Sequence, residues 1–372
     1  VHFPNRLLKY LAWMQSHADR TQGKTDFDAN SPAIREKSNA DLCSRLRASA
    51  PCQVFQQPAN CPHPMRLTPR WILMLTLPPL LWAGNAVVGR LLVGSVPPLM
   101  FNALRWGLAL LILLPLGWRV FRSRHELCER WVYLVVLGFL GMGCYNALLY
   151  GALQTSTPLN VTLIAASTPV FMLLVGSLFY GVKSRGLEIL GAALSLLGVV
   201  VVLSRGSVTT LLSVRFVAGD VLMLVAVLAW SAYTWLLARP PTHMQGEARP
   251  AWGWAEFLLI QVVIGCMWSF TAAGMEWQIT GQPVVWSTAL WWGWVYVAIG
   301  PSVLAYWCWG QGVAAMGPAV AAFFANLTPV FAALLSAALL GESPRAYHLL
   351  AFSLIVLGIA FSAYQPRQKV PG

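Results

Sequence analysis

Residues 158–198, PLNVTLIAASTPVFMLLVGSLFYGVKSRGLEILGAALSLLG, and residues 318–358, PAVAAFFANLTPVFAALLSAALLGESPRAYHLLAFSLIVLG, are two versions of one segment set 160 residues apart. Pro158 answers Pro318, and Thr168-Pro169-Val170-Phe171 answers Thr328-Pro329-Val330-Phe331. Gly181, Arg185, Leu197 and Gly198 recur as Gly341, Arg345, Leu357 and Gly358. Thirteen of 41 positions are identical without a gap, beyond what shared apolarity gives, so the chain is read as internally duplicated. Both copies lie in sequence too apolar for a soluble fold.

A mean hydropathy of +0.61, with 57% hydrophobic and 10% charged residues in 372, places the chain among polytopic membrane proteins. A hydrocarbon core about 30 Å thick takes about 20 apolar residues per helix. Ten such windows follow one another, near 71–92, 98–117, 131–153, 158–180, 186–204, 216–238, 253–274, 289–311, 318–340 and 345–363. Eighteen Trp residues are several times a soluble protein's share, and Trp71, Trp118, Trp131, Trp252, Trp254, Trp277 and Trp291 fall where spans meet headgroups. Trp82, Trp230 and Trp307 lie deeper. Cys144, Cys266 and Cys308 sit inside spans, where a thiol acts as a small apolar group.

The net charge of +12 does not form a nucleic-acid reading surface, because the cations are spread over alternate loops. If the first span enters from the cytoplasm, the inside loops hold Arg66, Arg70, Arg119, Arg122, Arg124, Arg130, Lys183, Arg185, Arg239, Arg249, Arg367 and Lys369. The outside loops hold only Arg205, Arg215 and Arg345. The positive-inside rule then puts both termini in the cytoplasm.

Residues 1–64 are polar, hold eight of the 25 basic residues and lack a sustained apolar period. Cys43, Cys52 and Cys61 recur there at a spacing unlike that of zinc sites. Met65 stands just before Arg66, Arg70 and the first span, which marks it as a candidate native start with 1–64 as an over-extended reading frame; the alternative is a cytoplasmic tail without a role in the membrane.

Five spans per half is an odd number, so the second copy must cross the bilayer in the opposite sense to the first. The expected fold is therefore an all-α integral membrane protein, ten transmembrane helices arranged as two inverted five-helix repeats. The partition is an extension over 1–64, a first repeat over 65–205, a second over 206–366 and a tail over 367–372. Packed about an axis in the membrane plane, such halves enclose a mid-depth cavity that can open to either side.

The ten spans, Leu81-Trp82-Ala83-Gly84-Asn85, Leu104-Arg105-Trp106 and the Thr328-Pro329-Val330-Phe331 to Gly341-Glu342 pattern resemble the EamA branch of the drug/metabolite transporter superfamily. The resemblance covers residues 70–364. It implies a bacterial inner-membrane secondary transporter that exports small metabolites, amino acids with apolar or aromatic side chains among them, by alternating access. It also implies peripheral fifth and tenth spans and a cavity bounded mainly by spans one, three, four, six, eight and nine. Val182 stands where the family often has Glu, so Glu342 has no symmetric counterpart.

A carrier needs polar and aromatic groups at mid-membrane, where each polar side chain costs enough to need a reason. The candidate cavity residues are Trp82, Asn85, Tyr145, Asn146, Tyr150, Trp230, Tyr233, Tyr306, Trp307 and Asn326. Asn146, Tyr150 and Gln154 follow i, i+4, i+8 and share one helical face. For all of these, helix packing is the competing role. Aromatic faces suit apolar solutes and attract an ammonium. Candidate hinges are Pro169 and Pro329, which should free the carbonyls near Ala165 and Ala325 for Thr168 and Thr328 to satisfy, and the Gly300-Pro301 pair. Arg105, roughly 10 Å into span two, either snorkels or bonds to a neighbour's carbonyls, or attracts a carboxylate in passage.

Asp220, Glu188 and Glu256 lie near span ends, so a mid-membrane carboxylate relay lacks its principal residue. No His-Glu-x-x-His motif and no phosphate-cradling glycine loop occurs. The expectation is thus no enzyme, no metal and no cofactor. The partners are a small-molecule substrate and the lipid bilayer, with no nucleic acid. The alternative to transport is a non-transporting membrane scaffold or sensor.

Overall fold

A computed structural model of the protein describes residues 67–92, 94–156, 158–204, 206–212, 216–340 and 346–364; the side chains of Arg90, Tyr150 and Gln154 are outside that description. Residues 1–64 with their cysteines, Arg205, Arg215, Gly341, Glu342 and Arg345 also lie outside the described residues. All regular structure among the described residues is helical. The main elements are α1 (Pro69–Leu91), α2 (Pro98–Gly117) and a short α3 (Arg124–Glu129), then α4 (Trp131–Gly138) running into α5 (Tyr145–Thr155). Next come α6 (Pro158–Ala165), α7 (Thr168–Tyr180), α8 (Gly186–Leu203), the short α9 (Val208–Leu212) and α10 (Ala218–Ala238). The second half continues with α11 (Trp254–Thr280), α12 (Thr288–Val297) joined to α13 (Ala305–Met316), α14 (Pro318–Ala325), α15 (Thr328–Leu340) and α16 (Ala346–Ala363).

Nine helices among the described residues are long and apolar enough to cross a membrane, where the sequence suggested ten spans. The difference lies in 158–180, where the Thr168–Tyr180 helix is too short to count by itself. Proline at 169 lacks an N–H and crowds the carbonyl one turn back. The hydrogen-bond ladder is therefore interrupted between Ala165 and Thr168, with Ser167 still in right-handed helical backbone. The same interruption separates α14 from α15, 160 residues later, inside a stretch that still counts as one span, Pro318–Leu335. Thr168 Oγ1 donates to the Ala165 carbonyl at 2.6 Å and Thr328 Oγ1 to the Ala325 carbonyl at 2.7 Å, so the hydroxyls satisfy the freed acceptors.

A second local irregularity also occurs twice. The helix widens into a π-helical turn at Phe139–Cys144, between α4 and α5, and again at Ala298–Leu304, between α12 and α13. Pro301 cannot donate to Val297, and the Ser302 hydroxyl takes that carbonyl at 2.7 Å. Each turn re-aims the carbonyls that follow it, a local geometry frequent at functional sites.

Helices α8 and α16 pack backbone to backbone. A Cβ added at Gly191 would lie 2.7 Å from the carbonyl oxygen of Gly358, and one at Gly198 would lie 2.8 Å from that of Ala351. An early position of each helix thus meets a late position of the other, so the two run antiparallel. Small residues at such a seam let helices gain van der Waals contact that lipid would otherwise provide. On the outer surface, Leu111, Phe179, Ile189 and Leu349 are exposed, as a hydrocarbon solvent favours.

The acids terminate helices. Asp220 is fully buried in the first turn of α10, where it accepts from the Val217 N–H at 2.8 Å and from the Ser156 hydroxyl. Glu188 accepts from the Arg185 N–H at 2.8 Å. Glu276, near the end of α11, accepts from the Leu99 and Met100 N–H groups at 3.1 and 2.8 Å and so caps the start of α2. A carboxylate facing the unpaired N–H groups of a helix start is stabilised by both hydrogen bonds and the helix dipole.

Candidate functional site

Five helical segments bring their aromatic side chains to one place in the interior. Trp230 of α10 is the hub: its ring lies 5.5 Å from Trp82 of α1, 5.5 Å from Tyr145 of α5, 5.9 Å from Tyr306 and 5.6 Å from Trp309 of α13. Trp82 meets Tyr306 at 6.3 Å and Trp309 at 5.5 Å, and Trp106 of α2 meets the edge of Tyr306 at 5.3 Å. Tyr233, three residues along the face of α10 from Trp230, lies 6.3 Å from Tyr306. Edge-to-face and tilted pairs at these separations hold the rings by quadrupole attraction as well as by burial.

The polar tips of this cluster bond to the two π-helical turns. Tyr306 Oη donates to the Gly141 carbonyl at 2.8 Å, and Trp82 Nε1 donates to the Pro301 carbonyl at 3.2 Å. Positions 141 and 301 correspond under the 160-residue offset. Gly141 also permits the close approach of Tyr233, whose ring would lie 2.5 Å from any Cβ added there. Tyr233 Oη in turn donates to Gln261 Oε1 at 3.1 Å.

Of the residues singled out from sequence, Trp82, Tyr145, Trp230, Tyr233 and Tyr306 meet in this cluster. Asn85 is half-buried on the face of α1 that carries Trp82, three residues on. Asn146 is buried and turns its amide back to the Met142 carbonyl of its own helix at 3.3 Å. The Tyr150 side chain is outside the described residues. Trp307 points elsewhere and pairs with Trp254 at 5.7 Å. Asn326 lies at the α14–α15 break, where Nδ2 donates to the Ala166 carbonyl at 3.1 Å and to Ser195 Oγ at 2.9 Å. Pro169 and Pro329 follow the two helix breaks, and Gly300 and Pro301 lie inside the second π-helical turn.

Trp106 and Trp309 are not among the candidate cavity residues, though Trp106 belongs to the Leu104-Arg105-Trp106 element. Trp309 had a readable signal, since it stands three residues from Tyr306 on one helical face, whereas Trp307 is displaced by about 100°. Among the interfacial candidates, Trp118, Trp131, Trp277 and Trp291 are exposed, but Trp71 is buried beneath Arg70.

Bonds also tie the first and second halves at both ends of the bundle. At one end, Arg130 donates to the carbonyls of His243 at 3.1 Å and Ala248 at 2.8 Å, and Tyr133 Oη donates to the Leu236 carbonyl at 3.1 Å. At the other, Val285 N–H donates to the Ser95 carbonyl at 2.8 Å; nearer mid-helix, Tyr296 Oη of α12 donates to the Leu81 carbonyl of α1 at 3.2 Å. A cavity of about 250 Å³ opens beside α2, α5 and α11, lined by Asn102, Cys144 and Ser269 among others, with no member of the aromatic cluster on its wall. Among the described residues, no group of three His, Cys, Asp or Glu side chains could hold a metal ion.

The chain resembles proteins of known class. The model of the EamA-like transporter family matches it twice, over residues 69–204 and 217–364. An uncharacterized transporter of Bacillus subtilis, YyaM, is 25% identical over 273 residues, covering 72% of this chain and 85% of that protein. The aromatic amino acid exporter YddG of Ancylobacter novellus is 24% identical over 299 residues, covering 78% of this chain and 95% of that protein. A crystal structure of 22% sequence identity superposes with a TM-score of 0.61 over 78% of this chain and 95% of that one, a likeness of fold. With two matches that between them span most of its length, the chain belongs to the EamA-like transporter family, whose members are multi-pass membrane proteins.

Proposed function

We propose that the chain exports small metabolites with apolar or aromatic side chains by alternating access, and that the aromatic cluster between its halves is the solute site. The observation that carries this reading is the junction of α1, α10 and α13 at the two π-helical turns. Trp82 and Tyr306 bond to carbonyls at equivalent positions, 301 and 141, in opposite halves. A ring that leaves its carbonyl frees a polar acceptor at mid-membrane, which a solute's ammonium can take. The name of the Ancylobacter relative agrees with an aromatic cargo.

Ten helices in two inverted five-helix repeats are part of the same proposal. Its support is reciprocity. Subtracting 160 turns the Gly191–Gly358 approach into the Gly198–Ala351 approach, as two-fold related helices require. The end ties obey the same rule: the loop after α1 meets the loop after α11, and the loop after α10 meets the segment before α4. Tyr133 reaches from α4 to α10, while Tyr296 reaches from α12 to α1. With both ends tied and rings filling the centre, the conformation corresponds to an occluded state. The loop charges support an orientation with both termini in the cytoplasm of a bacterial cell.

The test is flux. Purified protein in liposomes, screened with radiolabelled aromatic and aliphatic amino acids, gives saturable uptake or counterflow that Trp230→Ala reduces at least about tenfold. Absence of saturable flux for every solute, with protein that remains folded, overturns the reading.

A further inference from the structure

Arg105 lies inside α2 with 5% of its surface exposed, and its Nε has no acceptor. Among the described residues no carboxylate pairs with it; the ion pairs at His125 and Arg130 both use Glu129. The two acids of the packed helix α11, Glu256 and Glu276, lie near its ends, and the oxygens of Glu276 are taken by the Leu99 and Met100 N–H groups. A charged side chain in a bilayer interior is costly unless paired. Stacking relieves part of that cost: the guanidinium carbon stands 4.7 Å from the centroid of the Trp106 ring.

The cluster that Arg105 borders through Trp106 holds further unpaired donors. Trp106 Nε1 and Trp309 Nε1, both in the aromatic cluster, are buried without an acceptor. Trp106 in turn abuts Tyr306, whose hydroxyl is committed to Gly141. Three buried N–H donors without acceptors, one of them cationic, therefore lie in or beside the aromatic cluster. What such a set lacks is an acceptor with negative charge, and the protein does not supply one among the described residues.

We propose that Arg105 is an anion anchor, which takes the carboxylate of an apolar or aromatic solute while the solute's ring lies among Trp82, Trp230 and Tyr306. A guanidinium presents a fork that pairs with both carboxylate oxygens. Cargo without the carboxylate leaves the charge unpaired and is disfavoured. The inference deepens the transport reading and shares its site, yet binding measures it apart from flux.

The experiment uses the full chain in nanodiscs and two probes of one shape, radiolabelled phenylacetate and its neutral analogue phenylacetamide, followed by scintillation proximity. Loss of a charge-assisted pair in a buried site corresponds to about tenfold to a hundredfold in affinity. Wild-type protein is expected to prefer the acid over the amide by at least about tenfold. Arg105→Gln is expected to erase that preference. Arg105→Lys keeps the charge without the fork, and is expected to bind the acid several-fold more weakly while retaining the preference. If Arg105→Gln does not fold, the wild-type ratio and the lysine variant carry the test. Equal binding of the two probes by wild type, no binding of either, or an unchanged preference in Arg105→Gln overturns the proposal. A preference for the acid in protein that moves no solute keeps the anchor and removes the export reading.

Discussion

Asn326→Ala separates two roles for the same side chain. The structure places Asn326 at 2% exposure, with Nδ2 bonded to the Ala166 carbonyl at 3.1 Å and to Ser195 Oγ at 2.9 Å. Both partners are buried and both belong to the first half of the chain. Hydrogen bonds between membrane helices are worth about 0.6 kcal/mol on average and up to about 1.7. Removing two together, and leaving the Ala166 carbonyl at a helix break without its donor, should cost about 1–3 kcal/mol. The measurement is equilibrium unfolding in mixed detergent micelles, paired with solute flux in liposomes. A double-mutant cycle with Ser195→Ala should return a coupling of about 0.6 kcal/mol or more. If Asn326 is a tie between halves, stability falls while the solute's apparent affinity holds. Stability unchanged to within about 0.3 kcal/mol, together with lost solute affinity, would refute the tie and return Asn326 to the cavity wall.

Gly198→Leu should prevent α8 and α16 from closing, because even a Cβ meets the Ala351 oxygen at 2.8 Å; the yield of monodisperse protein should collapse, whereas Gly310→Ala, with open space around its Cβ, should be neutral or gain up to about 1 kcal/mol. Arg130→Ala removes donors to His243, Ala248, Glu126 and Glu129, so limited proteolysis between residues 239 and 253 should accelerate about tenfold or more; an unchanged cleavage rate would mean that the loops hold without it. Tyr306→Phe keeps the ring but leaves the Gly141 carbonyl bare, and should cost about 1 kcal/mol while altering flux more than binding of the solute's apolar part; identical flux would separate the π-helical turn from transport.

The duplication could be read from sequence because identity survived where backbone geometry demands it. Thr168-Pro169 and Thr328-Pro329 each combine a missing N–H with a hydroxyl that satisfies the freed carbonyl, and few other pairs do both. Trp82, Trp230 and Tyr306 were legible as large amphipathic rings at mid-span. Trp309 was hidden by the neighbouring Trp307, because sequence position alone does not say which face of a helix looks inward, although the Tyr306 spacing does. Glu276 was invisible for a different reason: its role depends on α11 lying beside the start of α2, a tertiary fact without a local signature. The π-helical turn at Phe139–Cys144 contains no proline; its counterpart at 298–304 does, so only one of the two could be suspected from residue type.

The positions where the halves differ carry more weight than the matches for choosing a solute. Asn326 and Ala166 are equivalents 160 residues apart, and they touch each other. Two equivalent residues can meet only on or near the axis that relates their halves. On such an axis an amide faces a methyl-bearing residue, so the hydrogen bonding there is directional even if the backbone is symmetric. The same holds at the π-helical turns, where Tyr306 caps one carbonyl and Trp82 caps the other. The tyrosine hydroxyl can rotate and exchange its acceptor at little cost, but an indole N–H must swing the whole ring to leave. Breaking the Tyr306 bond first would open the side of the cluster that abuts Trp106 and, through it, Arg105. A carboxylate arriving at Arg105 would then find the mobile ring beside it and the fixed ring across from it. If the proposed site is the solute's, the asymmetry between the two halves gives the bound solute one orientation, while the direction of net movement follows its gradient.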